Sequence, residues 1–94
     1  MSDADRYRRR ADALWRRSLD AVVILPAGSR EPLTVAGTGP EVWDLLADAR
    51  TLPDLAATLG AAHGADPAVV EQDLEPIVAA LVEAGAVDRT GAES

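Results

Sequence analysis

Asp-Pro-Ala-Val-Val-Glu-Gln-Asp-Leu-Glu-Pro-Ile-Val-Ala-Ala-Leu-Val-Glu-Ala-Gly-Ala-Val, residues 66–87, decides how the rest of the chain is read. Asp66 offers a side-chain oxygen to the first free backbone N–H groups, Pro67 suits the first helical position, and Gly85 can take the left-handed conformation that closes a helix. The stretch therefore reads as a helix over residues 67–84. At about 100° per residue, Val70, Leu74, Ile77, Leu81 and Ala84 fall on one stripe, the spacing of a core-facing surface. Val69, Asp73, Pro76 and Ala80 adjoin it on one side. Val78 and Val82, interleaved with Glu71 and Glu75, adjoin it on the other. A helix that is apolar beyond its core stripe has surface left over for a partner or a sheet. Pro76 removes one backbone hydrogen bond and crowds the carbonyl of Gln72, which predicts a bend.

Upstream of this helix the pattern changes twice. Residues 1–12 are polar and charged, with Tyr7 as the bulky apolar side chain, and they read as a flexible Arg-rich arm. The Tyr-Arg-Arg-Arg run within it is a solvated tail more readily than a nucleic-acid contact. Leu14, Trp15 and Leu19 then precede Ala21-Val22-Val23-Ile24-Leu25, a β-branched run stopped by Pro26. Strands are expected over residues 13–18 and Ala21–Leu25. Residues 26–32 are rich in turn formers and form a loop. Leu33-Thr34-Val35 makes a brief third strand, and the three strands form an antiparallel meander. Held between Pro32 and Gly37, the third is an edge strand with unpaired backbone groups.

Thr38-Gly39-Pro40-Glu41 matches a capping box, in which hydroxyl and carboxylate each satisfy a backbone N–H. Val42, Trp43, Leu45 and Leu46 supply the buried face of a helix running to about residue 49. Thr51-Leu52-Pro53-Asp54 starts another, with Leu52, Leu55, Ala56 and Leu59 inward, closing near residues 60–64. The expected fold class is α+β: a three-stranded antiparallel sheet followed by three helices. One domain spans residues 13–89, and residues 90–94 are a flexible tail.

Ninety-four residues suit a single small core. There is no cysteine, hence no disulfide and no thiolate metal site. No apolar run reaches the roughly 20 residues of a membrane span, and the N-terminus is charged rather than signal-like, so the expected location is cytoplasmic with no membrane partner. The net charge of −7 hides an asymmetry. Through Arg17, six arginines face three aspartates, net +3; beyond it, three arginines face thirteen acids, net −10. A basic N-terminal segment precedes an acidic globule.

Candidate chemistry is sparse. His63 is the single histidine, with no second His or Cys to complete a metal site or nucleophile pair. It is placed at a helix end before Gly64, where a His near the last carbonyls is ordinary. Asp44 and Asp48 stand one helical turn apart, as metal-binding carboxylates would, and equally as any solvated helix face. Gly37-Thr38-Gly39 lacks the Lys-Ser/Thr of a phosphate loop and the third glycine of a dinucleotide loop; it reads as a turn. Core packing is expected for both Trp15 and Trp43. No catalytic residue, metal ligand or cofactor site is assigned.

The order and spacing of several short pieces resemble the PqqD-like family, the leader-peptide recognition elements of ribosomally made, modified peptides. The pieces are Ala21-Val-Val-Ile-Leu25, Leu33 through Thr38-Gly39, Val42-Trp43-Asp44-Leu45-Leu46, Arg50-Thr51-Leu52 with Asp54-Leu55-Ala56 and Leu59, Val69 to Asp73-Leu74, and Leu81 to Gly85-Ala86-Val87. The resemblance implies a winged helix-turn-helix-like fold without catalytic residues. It implies an adaptor that binds the leader of a precursor peptide by strand addition to the third strand, against the third helix, and presents it to a modifying enzyme or leader peptidase. The implied peptide-binding positions are Leu33, Thr34 and Val35 on the strand, and Val69, Val70, Asp73, Leu74 and Ile77 on the helix. Strand addition draws affinity from backbone hydrogen bonds and selectivity from side-chain pockets. Two departures stand out: Arg30-Glu31-Pro32-Leu33 replaces the family's Gly-aromatic entry to the third strand, and His63 stands where an aromatic often closes the second helix.

Two other readings compete. A DNA-binding winged helix would insert the helix from Pro67 into a major groove, yet that helix carries Glu71, Asp73, Glu75 and Glu83 and no Arg or Lys, so no nucleic-acid partner is expected. An acidic interaction subunit of another enzyme would use the same groove for a protein segment. The edge strand allows either a monomer or a dimer paired through it.

Overall fold

The helix of residues 67–84 is present as α3 (Pro67–Glu83) in the structure, a computed structural model that describes residues 4–91. The Asp66 carboxylate accepts from the Ala68 N–H at 3.0 Å, Pro67 occupies the first turn, and Gly85 follows at φ +82°. Its buried side chains are Leu74, Val78 and Leu81, while Val70 and Ile77 are only half-buried and Ala84 is exposed. The buried stripe is thus turned toward Val78 relative to the one drawn from spacing alone. Across from it, α2 (Leu52–His63) is the element α3 packs against most extensively.

The expected meander forms as β2 (Leu14–Arg17), β3 (Ala21–Leu25) and β4 (Leu33–Ala36), antiparallel in the order β2-β3-β4. Val22 and Ile24 alternate inward from the central strand and are fully buried. Each β-branched or aliphatic side chain so buried contributes about 1.5–3 kcal/mol. They meet Val42 and Trp43 of α1 (Gly39–Leu45), Leu52, Leu55, Ala56 and Leu59 of α2, and the buried stripe of α3 in a single core.

A second sheet was not expected. β1 (Arg6–Arg9) lies between β5 (Arg50–Thr51) and β6 (Val87–Thr90), both antiparallel to it. Arg6, Tyr7, Arg8 and Arg9 stand opposite Thr90, Arg89, Asp88 and Val87. The reading of residues 1–12 as a flexible arm is therefore corrected: Tyr7 is fully buried, and β1 and β6, from opposite ends of the chain, are held in one sheet. Met1, Ser2 and Asp3, and residues 92–94 of the expected tail, lie outside the described residues. The charges of β1 are absorbed at the surface, where Arg10 donates to Asp12 and to Asp88, each at 3.0 Å. These carboxylates hold the Arg10 pKa above its ordinary value, and the bond from Arg10 holds Asp12 below its own.

The same sheet shortens α1. Residues 50–51 must be extended to pair with Arg6 and Tyr7, so the helix expected to reach residue 49 stops at Leu45, whose carbonyl accepts from Arg50 Nε at 2.7 Å. The capping box at Thr38 does not form either. Thr38 is in the helical region, φ −84° and ψ −4°, whereas a capping side chain reaches back only from extended backbone. Glu41 instead takes His63 Nε2 at 2.9 Å, tying α1 to the end of α2. At α2 the local signal holds: Thr51 is extended and its hydroxyl accepts from the Asp54 N–H at 3.2 Å.

Candidate peptide-docking groove

β4 is an edge. It pairs with β3 through Ala21↔Ala36, Val22↔Val35, Val23↔Thr34 and Ile24↔Leu33. The Ser18 N–H donates to the Ala21 carbonyl at 2.8 Å, which makes Ser18 and Ala21 a hydrogen-bonded pair. Alternation along the antiparallel ladder then turns the peptide groups of Val22 and Ile24 toward β4, and those of Thr34 and Ala36 away from β3. Among the described residues, no hydrogen bond outside the ladder reaches the backbone of residues 33–36. Thr34 and Ala36 thus present N–H and C=O groups to an open margin. Side chains alternate as well: Leu33 and Val35 turn inward and are half-buried, Thr34 and Ala36 are exposed.

Beside this margin runs a groove of about 360 Å³, lined by β4 from Leu33 to Ala36, Gly39 at the start of α1, and Pro76, Ile77, Ala80 and Leu81 of α3. Its walls are mostly aliphatic carbon. A smaller depression of about 170 Å³ lies along the N-terminal half of α3, between Val70, Asp73 and Leu74 and the facing Thr38, Leu59, His63 and Ala65. Thr38 and Gly39, adjacent in the chain, belong one to each.

The residues singled out from the sequence are divided by this geometry. Leu33, Thr34, Val35 and Ile77 come together in the groove. Val70, Asp73 and Leu74 meet in the smaller depression, where Leu74, 1% exposed, belongs chiefly to the core. Val69 is exposed and lines neither of the two. Sequence reading missed Ala36, Gly39, Pro76, Ala80 and Leu81 as groove residues. Pro76 and Ala80 were visible on the flank beside the predicted stripe, and in the structure that flank lines the groove with β4.

Gly39 sets the depth of the groove. A Cβ there would sit 2.7 Å from Val35 Cβ, closer than two carbons can approach, and Val35 Cβ is fixed by the strand. Gly39→Ala should force α1 and β4 apart and lower unfolding stability by about 1–3 kcal/mol, read from urea denaturation. An unchanged midpoint would show that the contact relaxes freely.

Among the described residues there is no cluster of three His, Cys, Asp or Glu side chains placed to hold a metal ion. No described helix is long and apolar enough to cross a membrane. His63 is engaged with Glu41, and the Asp44 carboxylate accepts from Arg17 at 2.6 Å. Trp43 is buried as expected, but Trp15 is not: it stands 42% exposed, edge-on to Trp43 with ring centroids 6.1 Å apart.

Fold and site together define a small α+β domain with an open sheet margin beside an apolar groove. Residues 21–87 match the family described as Coenzyme PQQ synthesis protein D (PqqD), and the chain belongs to that family. The fold is that of the PqqD truncation of Methylobacterium extorquens PqqCD, whose solution structure is described as a functional and stand-alone recognition element for ribosomally synthesized and post-translationally modified peptides. The TM-score is 0.78 and the identity 24%, covering 94% of each chain. None of the curated proteins matches the chain.

Proposed function

We propose that the chain is a non-catalytic adaptor that binds the leader segment of a ribosomally synthesised precursor peptide and presents it to a modifying enzyme or leader peptidase. The leader adds as a strand on β4 and lies against α3. The observation that carries this reading is the pair of outward peptide groups at Thr34 and Ala36 beside an aliphatic groove of about 360 Å³. An extended chain there finds backbone partners on one side and side-chain pockets on the other, the division of labour of strand addition. Leu33, Val35 and Ile77 line the pocket for its apolar side chains. Val70 and Asp73, with Leu74 beneath and Val69 at the outer end, extend the track along α3. Asp73 and Glu75 are exposed and favour a leader bearing Arg or Lys, which speeds association and selects partners more than it adds affinity.

On this reading α2 and α3 are the helix pair of a winged helix-turn-helix arrangement used for peptide rather than nucleic acid. The absence of Arg and Lys from α3 is poor chemistry for a polyanion. The test is a titration of isotope-labelled protein with a synthetic leader from a precursor encoded beside its gene. Amide shifts should concentrate in residues 33–36 and 70–81. Binding that leaves those amides unmoved would defeat the proposal, as would a β4 margin already paired to a second copy at working concentration.

A further inference from the structure

The opposite margin of the same sheet is built differently. Among the described residues β2 pairs only with β3, and the ladder alternation that frees Thr34 and Ala36 on β4 turns the peptide groups of Trp15 and Arg17 outward on β2. All four β2 residues are exposed. Of the four large hydrophobic side chains that stand exposed among the described residues, three fall in or just after β2: Leu14 at 69%, Trp15 at 42% and Leu19 at 102%. Edge strands are commonly guarded by charge alone, and exposed Leu and Trp are the opposite of a guard. Patches that hold Trp and Arg together are where binding energy concentrates in protein interfaces.

Trp15 separates two clefts. On the outer face of the sheet, Leu14, Arg16, Val23, Leu25 and Pro32 line a shallow apolar depression of about 350 Å³. On the other side of Trp15, Arg8, Arg9 and Arg10 line a cleft of about 480 Å³. Within it, Arg10 is neutralised by Asp12 and Asp88. Arg9 stacks on the rings of Trp15 and Trp43, 4.9 and 5.6 Å from their centroids, and donates to the Trp43 carbonyl. Neither Arg8, Arg9 nor Arg16 has a carboxylate partner among the described residues. An extended segment paired to β2 sends successive side chains to opposite faces, one set over the aliphatic depression and the other toward the arginines.

We infer that the β2 margin is a second docking surface. Its occupant is an extended segment of alternating acidic and aliphatic residues on the enzyme that receives the leader. Charge complementarity selects that chemistry, since this margin is the basic part of a chain that is otherwise acidic. The enzyme as occupant rests on the adaptor reading above; the surface and its ligand chemistry do not. Placing enzyme and leader on opposite edges of one sheet lets both be held at once.

The probe is a fluorescein-labelled peptide of alternating Glu and Leu, with a Lys/Leu peptide of equal length as control, titrated into the full chain. The acidic peptide should bind, weaken at least tenfold with Arg8→Glu and with Trp15→Ala, weaken as salt rises, and remain bound when leader peptide saturates β4. Circular dichroism melts establish that both variants fold. Failure of the acidic peptide to bind, binding indifferent to Arg8→Glu, or equal binding of the Lys/Leu peptide would each overturn the inference. So would concentration-dependent self-association in sedimentation that Arg8→Glu abolishes, because the occupant would then be a second copy. A leader that fails to bind the chain sinks the adaptor reading while the acidic-peptide outcomes stand, so the two failures are distinguishable.

Discussion

Tyr7→Ala is expected to lower unfolding stability by about 3–5 kcal/mol, the cost of emptying an aromatic-sized volume in a packed core. For a domain of this length each kcal/mol shifts the melting temperature by about 4–8 °C, so a thermal melt should move down by roughly 12–40 °C. The expectation rests on Tyr7 being fully buried at the centre of the β5-β1-β6 sheet, where it bridges residues 50–51 and 87–90. Tyr7→Phe is the control. The Tyr7 hydroxyl is buried and has no hydrogen-bond partner among the described residues, so deleting it should leave stability within about 1 kcal/mol or raise it, because an unpaired buried polar group costs more than it returns. Burial, with the nearby Asp5 carboxylate, also pushes the phenol pKa up. A phenol that holds its proton more tightly when folded stabilises the chain below the folded pKa, relative to the fully ionised state. That contribution is complete below the unfolded pKa near 10 and is lost as pH rises further; Tyr7→Phe should remove this part of the alkaline pH dependence. If Tyr7→Ala cost less than about 0.5 kcal/mol, against the range expected for a core aromatic, the N-terminal strand would be no part of the core.

Thr34→Pro should weaken leader binding by about 30- to 1,000-fold while leaving the melt nearly unchanged. The two effects separate because of where the Thr34 peptide group points. Its N–H faces the open margin rather than β3, so proline removes no bond from the folded chain, and an edge position with an outward N–H is where a strand tolerates proline. In the complex the same change deletes one donor and leaves a peptide carbonyl buried without a partner, together about 2–4 kcal/mol. Val35→Pro is the instructive contrast: Val35 pairs with Val22 in the ladder, so proline there should damage the sheet itself. Equal binding by wild type and Thr34→Pro, measured by fluorescence anisotropy, would show that no strand adds at this edge. A melt that collapses with Thr34→Pro would show that the Thr34 N–H points into the sheet instead of toward the margin.

By itself the sequence determined the elements whose signals are local. Asp66, Pro67 and Gly85 fixed both ends of α3 because a cap and a left-handed closure involve residues within one turn of each other. Thr51 fixed the start of α2 in the same way, and Pro26 with the β-branched run before it fixed β3. The edge character of β4 and the aliphatic positions Leu33, Val35 and Ile77 of the groove were legible from spacing and from the family resemblance that those pieces carry.

Tertiary structure alone decided the rest. No pattern within Arg-Tyr-Arg-Arg announces a strand, since its partners lie far along the chain, at residues 50–51 and 87–90, and its inward-facing bulk is one tyrosine. The Thr38 capping box has the right letters, but the turn leaving β4 fixes a backbone from which the hydroxyl cannot reach. Spacing on α3 gave an apolar arc wider than one neighbour can cover, and only the tertiary packing put Val78 in the core and left Ile77, Pro76 and Ala80 to face β4. Hydrogen bonds within a turn are chosen by the residues that make them; the choice of which side chain is buried belongs to whatever lies across from it.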